Sequence, residues 1–573
     1  MARANDEAAA LIQELADLLS ITGGDAFKIR AYEKAARAIA GHPDDISGLD
    51  LAGLRRIPTV GEAIAKKVLD YTTTGTIRQV EELRTRIPAG VRALTAIPTL
   101  GPKKALTVYE ELGISSVDEL AAAIGEGRLR GLKGFGAKTE ENILHGIDLM
   151  RSSGERVLVD AAASVADEVV ETLSALPQVE RCEHAGSLRR MRETIGDVDV
   201  LAASRDPRPI MEAFTALPFV AEVVASGGKK TSIRTATGLQ VDLRVVPPES
   251  WGAALQYFTG SQAHNVRTRE IAVKAGLKLS EYGLFDAESD ELIVSETEEE
   301  VYERLGLPWV HPALREDTGE IEAALKDALP RLVTVEDLRG DLHSHTDLTD
   351  GIASLEDMAA AAHARGLEYY AITDHAPDLV MQRMTDEKML AQREQVAALQ
   401  GRYPGLTLLH GTELNIGPDG DVDWDADFLS AFDVCVASIH SHFTQDRDAM
   451  TRRLVRACEN PHVHVIGHPT ARSIGRRAPV DADWDEVFRA AARTGTAMEI
   501  DSFPDRLDLP ADLARRAKRL GVKFSVDTDA HSIGHHRNIR YGVGTAQRGW
   551  LTPDDVVNTW PLDRLRAFLG GKG

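Results

Sequence analysis

After residue 340 the chain repeats one arrangement seven times: a short apolar run of β character whose C-terminal end carries histidine or an acid. The ends are His343 and His345 in GDLHSHTD, Asp374 and His375 in EYYAITDH, Glu413 in LTLLHGTEL, His440 in FDVCVASIHSH, His468 in VHVIGHP, Glu499 in TGTAMEID, and Asp529 with His531 in VKFSVDTDAH. Helical patterns such as SLEDMAAAAHARG and DWDEVFRAAARTG lie between them. Alternating β and α elements predict a closed parallel barrel, and side chains at the C-terminal strand ends then converge on one mouth. Of the 18 histidines, 13 fall in this region, too uneven a share for ordinary surface or core placement, and metal binding is the first reading.

At 573 residues the chain exceeds what one hydrophobic core supports, so several domains are expected. Hydrophobic residues make up 43% and charged residues 27%, a globular rather than disordered or membrane composition. The start, MARANDEAAA, lacks a basic-then-apolar signal pattern, and no run of about 18 uncharged apolar residues occurs; a cytoplasmic protein is expected. Cys182, Cys435 and Cys458 are too scattered for a thiolate cluster.

The net charge of −23 argues against a polyanionic partner only until its distribution is considered. Asp286–Glu300 carries eight acids and no base, and reads as a solvated surface remote from any phosphate. Basic pairs gather elsewhere, at Arg55 and Arg56, Lys66 and Lys67, Lys103 and Lys104, and Arg128 and Arg130.

Those pairs accompany a motif that occurs three times: LRRIPTVGEAIAKKVLDY around Gly61, LTAIPTLGPKKALTVYEEL around Gly101, and LRGLKGFGAKTEENIL around Gly136. Each is an apolar residue, a tight turn, a glycine and an amphipathic helix. The motif resembles the helix-hairpin-helix, in which backbone N–H groups at the glycine hold a DNA phosphate without reading sequence. The usual first glycine is present as Gly134 in the third copy, with Thr59 and Thr99 in its place in the others. The preceding helix AFKIRAYEKAARAIA is similar to one in the small domain of DNA polymerase beta and its relatives. That resemblance places Lys67 at the family's lyase lysine, an amine that attacks an abasic sugar aldehyde when neighbouring charge such as Lys66 lowers its pKa. A solvated helix lysine is the alternative.

In EHAGSLRRMRETIGDVDVLAA, Asp197 and Asp199 flank Val198 in a β run, so alternation puts both carboxylates on one face. Asp242 in LQVDLRVV supplies a third acid from another apolar run. Three converging carboxylates suit two Mg²⁺ ions about 4 Å apart, which activate an attacking 3′-hydroxyl and neutralise a leaving pyrophosphate. Upstream, Gly186 and Ser187 form a turn suited to a triphosphate, and Arg190 supplies positive charge. The combination resembles the nucleotidyltransferase superfamily, which holds tailing and antibiotic-modifying enzymes as well as polymerases.

The downstream run WGAALQYFTGSQAHNVRTRE is similar to the thumb signature of family X DNA polymerases. That resemblance implies that Tyr257 and Phe258 lie against the sugar of the incoming nucleotide, with Thr259 and Gly260 forming the turn beneath. It also implies that Asn265 meets the minor-groove edge of the base, that Arg269 contacts the template strand and that Arg244, beside the third acid, is a DNA-binding residue. The C-terminal region resembles the PHP domain, a phosphoesterase module built as a distorted (β/α)₇ barrel with three metals. On that resemblance His343, His345, Asp350, His375, Glu413, His440, His468, Asp529 and His531 are ligands, with Glu413 bridging. Imidazole and carboxylate donors without thiolate favour Zn²⁺ or Mn²⁺ over Mg²⁺. His363, His442, His462, His464, His535 and His536 are expected outside the coordination sphere, and Arg472 and Arg476 are expected to help bind phosphate.

The fold class is thus multidomain α+β and α/β. A helical DNA-binding region at 1–90 and fingers at 91–150 precede a mixed-sheet palm at 151–248, a small α/β thumb at 249–318, a linker at 319–338 and the barrel at 339–573. The expected protein is a monomeric repair polymerase that fills gaps in gapped or primer–template DNA from dNTPs, without membrane contact, while its phosphoesterase trims 3′ ends or acts at abasic sites. Two alternatives stay open: a barrel that binds metal without turnover, and an untemplated nucleotidyltransferase.

Overall fold

The computed structural model describes residues 3–572 except 41, 43, 44, 88, 96, 98, 99, 133, 137, 142, 145, 146, 148–155, 380, 381 and 383, so Thr99 lies outside the described residues. Helices Arg3–Ile21, Ala26–Ala40 and Glu62–Thr74 bury Ile12, Leu15, Leu18, Ile39 and Val68 in one apolar core. Pro102–Leu112 and Val117–Gly125 close a second core around Val108, Leu120 and Phe135. Gly61 and Gly101 cap the helices that follow them, and at these two and at Gly136 no atom lies within 4 Å of where a Cβ would sit. The hairpin faces are therefore open to an approaching group. Two residues earlier in the copies, Thr59 has φ +65° and Gly134 φ +89°. Thr59 thus takes the left-handed conformation of the glycine it replaces, one that a β-branched residue adopts only at a cost.

The palm is a five-stranded sheet in the order Arg181–His184, Asp197–Ala203, Gln240–Val246, Lys230–Thr235, Val220–Ser226, parallel only between its second and third members. Helix Val159–Ser174 covers one face, packing Ala162, Ala166 and Val169 with Val198, Val200 and Val241. The thumb combines helices Trp251–Thr259 and Gln262–Lys274 with a three-stranded antiparallel sheet.

One acid of the Asp286–Glu300 segment departs from the solvated surface expected of it. Glu298 is buried, its carboxylate held by Arg189 (2.9 Å to each oxygen), by the fully buried Arg315 (2.6 Å) and by the Trp309 indole N–H (3.2 Å). Composition does not show this, because the partners come from the palm and from the end of the thumb. Burial alone would raise the Glu298 pKa, but Arg315 and Arg189 bring it down to about 2. A carboxyl held below its unfolded value stabilises the fold above the ordinary carboxylate range, and that contribution fades as pH falls from about 4.5 toward 2. Glu298→Gln removes the anion and leaves Arg315 buried without its counter-charge. The expected loss is about 3–5 kcal/mol in denaturant unfolding at neutral pH, and a loss below 1 kcal/mol would contradict this account.

Residues 319–338, expected to link the thumb to the barrel, pack against both. Ile321 and Ala324 enter the thumb core, and Glu320 is buried against His264 Nδ1 at 2.7 Å. Further on, the Val333 N–H donates to the Leu551 carbonyl (3.0 Å) and Gln547 Nε2 donates to the Val333 carbonyl (2.9 Å).

From Gly340 onward, seven parallel strands follow one another in sheet order: 340–341, 369–372, 407–415, 434–438, 465–467, 497–501 and 524–527. They fall on the seven apolar runs of the sequence. Strand Val434–Ser438 is buried along its whole length, as a barrel stave covered on both faces must be. A parallel bridge between Ser344 and Ala530, with the His345 N–H donating to the Ala530 carbonyl (2.9 Å), brings the last stave against the first. Among the described residues no helix is long and apolar enough to cross a membrane.

Candidate active sites

The palm site follows from strand register. Asp199 pairs laterally with Asp242 and Asp197 with Gln240, while Val198 and Val200 turn into the core, so the three acids share the face opposite the covering helix. Burial, followed by the neighbouring Asp197 and Asp242, pushes the Asp199 carboxyl up to about 7. Burial also acts on Asp242, but hydrogen bonds from Lys230, Ser232 and Gln240 hold its pKa below the usual value. Lys230 Nζ lies 2.8 Å from Asp242 Oδ2. The carboxylates therefore face one another across adjacent strands with a lysine as counter-charge, a looser set than the donor groups of the barrel. A surplus of anionic oxygen on one face fits hard divalent cations.

The turn at Gly186 is built against this acid pair. Gly186 has φ +60°, and a Cβ there would stand 2.3 Å from Asp199 Oδ2, so any larger residue would displace the carboxylate. Ser187 follows, partly exposed. Arg190 points to Glu316 (Nε to Oε1, 3.1 Å) and to the Thr259 carbonyl (Nη1, 2.6 Å), and a Cβ on Gly260 would come within 3.2 Å of Arg190 Nη1. Arg190 therefore joins the turn to the thumb. The Arg244 guanidinium lies 4.4 Å over the Phe258 ring, and Tyr257 meets that ring edge-on at 5.1 Å. Asn265 donates to the Tyr257 carbonyl (2.7 Å) and accepts from Gln256 (2.9 Å); Arg269 Nε donates to the Asn265 carbonyl (3.1 Å). Lys67 is half-buried on the first hairpin's second helix, and Lys66, the neighbour its lyase role invokes, is paired with Glu62 at 2.8 Å.

The barrel site gathers all nine expected donors. His345, Asp350, His375 and His531 form one group; His343, His345 and Asp529 a second; His375, Glu413 and His440 a third, each with its ligand atoms within 4.8 Å of one another. His468 joins through Glu413, its Nε2 2.9 Å from Oε1. Two buried atoms of the first group, His345 Nδ1 and Asp350 Oδ1, have no hydrogen-bond partner, the condition of donors that await a cation. Burial opposes a charge on His343, yet Glu499, Asp529 and Glu413 hold its pKa well above the ordinary value. Glu413 is likewise buried, and His375, His440 and His343 draw its pKa well below the carboxylate range. His468 (φ +28°) and Asp529 (φ +48°) have left-handed backbone, a strain characteristic of residues held for a ligand.

Two carboxylates at the strand ends have supporting tasks. Glu499 accepts from His343 Nδ1 (2.6 Å) and from the His468 N–H (2.5 Å), fixing the ring orientation of one donor and the backbone of another. Asp374 ties down the loop that carries Asp350, accepting from the Thr346 N–H (2.9 Å) and hydroxyl (2.6 Å). Asn415, which holds His440 Nδ1 at 2.7 Å, is missed by the sequence reading, although it lies two residues beyond Glu413 on the same strand face. Gln382, which donates to Asp350 at 2.9 Å, gives no local signal. His363, His442 and His464 stay outside the cluster, bonded to the Pro404 carbonyl, Ser441 and the Cys435 N–H respectively. His536 holds Tyr370, and His535 Nδ1 accepts from the His531 N–H. Arg472 departs from its expected phosphate role: its guanidinium binds Glu193 of the palm (2.7 Å) and the carbonyls of Arg506 and Leu507 (2.7 and 2.6 Å). Arg476 is exposed.

A palm with paired strand carboxylates and a barrel with converging imidazoles define the class: a nucleotidyltransferase joined to a PHP-type phosphoesterase. Residues 3–77 match the helix-hairpin-helix domain, 91–147 the SAM-like helix-hairpin-helix tandem, 254–316 the DNA polymerase beta thumb and 341–502 the PHP domain. The DNA polymerase/3′-5′ exonuclease PolX of Bacillus subtilis (strain 168) is 35% identical over 562 residues, 98% of each chain. A probable phosphatase of Syntrophotalea carbinolica is 30% identical over 40% of this chain and 95% of its own, and DNA polymerase lambda of Rattus norvegicus is 26% identical over 51% of this chain and 53% of its own. The chain belongs to the PolX family, the family X DNA polymerases that carry a C-terminal PHP domain.

Proposed function

We propose that the palm performs templated gap filling from dNTPs in DNA repair and that the barrel removes nucleotides from 3′ ends that the palm cannot extend. The observation that supports the pairing most strongly is the coexistence, in one chain, of a carboxylate face beside a tight glycine turn and of a buried imidazole cluster at a barrel mouth. In this reading Asp197, Asp199 and Asp242 hold two Mg²⁺, and the nine barrel donors hold three Zn²⁺ or Mn²⁺. Bound ions supply activation of the attacking oxygen and neutralise charge at the phosphate in both sites. Gly186 and Ser187 receive the triphosphate with backbone N–H and hydroxyl donors. Tyr257 and Phe258 form the floor under the sugar, with Arg244 stacked behind Phe258, and Asn265 faces the base after exchanging its bond to Gln256. The open glycines of the hairpins, Gly61, Gly101, Gly134 and Gly136, bind DNA phosphates, and Arg269 lies along the template. In the barrel, Glu499 keeps His343 in a single orientation and Asp374 fixes the loop of Asp350.

Extension of a gapped duplex, compared with single-stranded DNA, tests the polymerase half. Addition at least about tenfold faster on the gap and dictated by the template base is expected; equal rates with no base preference would establish the untemplated alternative. End-labelled DNA incubated with Mn²⁺ is expected to shorten from its 3′ end, and an intact label would favour the inert barrel.

A further inference from the structure

The loop that follows the Gly186–Ser187 turn is held from outside the polymerase. Helix Ile539–Arg548 belongs to the barrel domain, and its last residue sends Nη1 to the Arg190 carbonyl and to Glu316 Oε1, both at 2.9 Å. The same Glu316 oxygen takes Arg190 Nε at 3.1 Å, and side-chain exposures of 13%, 18% and 14% for Arg190, Glu316 and Arg548 put this junction out of bulk water. One residue further, Met191 has φ +53° and packs on Gly544 of that helix so closely that a Cβ on the glycine would fall 2.6 Å from its methyl carbon and 2.9 Å from its Cβ. Two residues beyond, Glu193 is clamped by Arg472 at 2.7 Å. Leu507 and Tyr541 of the barrel domain complete the attachment by burying themselves in the palm core. Two barrel side chains and one helix glycine thus fix three points within four residues, immediately after the turn that abuts Asp199.

We infer that the phosphoesterase barrel is also a working part of the polymerase: it mounts the nucleotide-receiving turn, with Arg548 as a positioning residue for dNTP binding. The inference rests on the reading that Gly186 and Ser187 receive the triphosphate. A left-handed non-glycine residue such as Met191 persists only where its surroundings over-determine it, and here Gly544, Leu507 and Tyr541 of the barrel domain supply part of those surroundings beside the palm's own core. Losing the Arg548 contacts frees the Arg190 carbonyl and removes one of the guanidinium groups that hold Glu316, the partner of the Arg190 side chain. Both effects weaken the hold on an incoming nucleotide, and neither touches the imidazole cluster.

Steady-state single-nucleotide gap filling by the full-length chain, with end-labelled degradation measured in parallel, tests this in Arg548→Ala, Arg548→Lys, Gly544→Ala and Ser187→Ala. Loss of a charge-assisted contact in Arg548→Ala is expected to raise KM for dNTP about tenfold. Its kcat should stay within about threefold of wild type and its degradation unchanged, while Arg548→Lys should restore most of the affinity. Ser187→Ala should raise KM as well. If Ser187→Ala raises KM and Arg548→Ala does not, the mount is refuted while the cradle stands. If neither moves KM, the cradle reading falls and takes the mount with it. Should Arg548→Ala lose both activities together by misfolding, Gly544→Ala decides, since it displaces Met191 without removing a charge: a raised KM with intact degradation sustains the inference, and an unchanged KM overturns it.

Discussion

Asp197→Ala combined with Asp199→Ala is expected to reduce nucleotide addition by at least ~1000-fold while leaving 3′-end degradation at its wild-type rate. Electrostatic stabilisation by bound cations is worth several kcal/mol in such a transfer, and two of the three carboxylates able to hold them are removed. The fold should tolerate the change. Both acids are on the face away from the Val198 and Val200 core, and Asp199 is burdened by burial and by two like charges. Thermal melting therefore serves as the control: the double variant should melt no lower than the parent, and a rise in melting temperature with Mg²⁺ should be seen in the parent alone. Synthesis within tenfold of the parent would remove these aspartates from the reaction, and loss of degradation alongside synthesis would mean that the two sites are not separable.

The converse separation is expected from His343→Ala with His345→Ala. His345 belongs to two of the three donor groups and His343 to the second of them, so the pair disables most of the cluster. Degradation from the 3′ end should fall by at least ~1000-fold, because the activating cations lose their ligands. Gap filling should remain within about threefold, since the barrel's attachments to the palm run through Arg472, Arg540, Gly544 and Arg548 on other segments. Metal content by mass spectrometry gives a second readout and should drop in the variant. Undiminished trimming with depleted metal would show that the nuclease is elsewhere in the chain.

The barrel was legible because each of its parts is announced locally. A strand covered on both faces reads as an apolar run, and a ligand at its end is the next residue or two, so the seven runs and the acids and imidazoles at their ends were visible without any knowledge of which strand lies beside which; Asp350, which stands at no strand end, and the choice of nine donors came from the resemblance to the PHP domain. Asp197, Asp199 and Asp242 were legible for a similar reason, as strand alternation puts the first two on one face and an apolar run marks the third. The copies of the hairpin were recognisable by repetition, and Thr59 proved to occupy the glycine's own conformation.

What the sequence determined by itself, then, is whatever follows from periodicity and from neighbours a few residues apart: the staves, the turns, the donors they carry, and through these the chemistry of both halves. Only the tertiary structure decided the partners of the ordinary charged residues. Glu298 reads as one more surface acid until Arg189 and Arg315 close over it from 109 and 17 residues away, and Arg472 reads as a phosphate ligand until Glu193, 279 residues distant, accepts it. Arg548 and Glu316 are separated by 232 residues, and nothing in the spacing of either marks the junction they form. Side-chain charge carries no period, so its pairing emerges only when the packed domains bring remote segments within reach and exclude the water that would otherwise screen them.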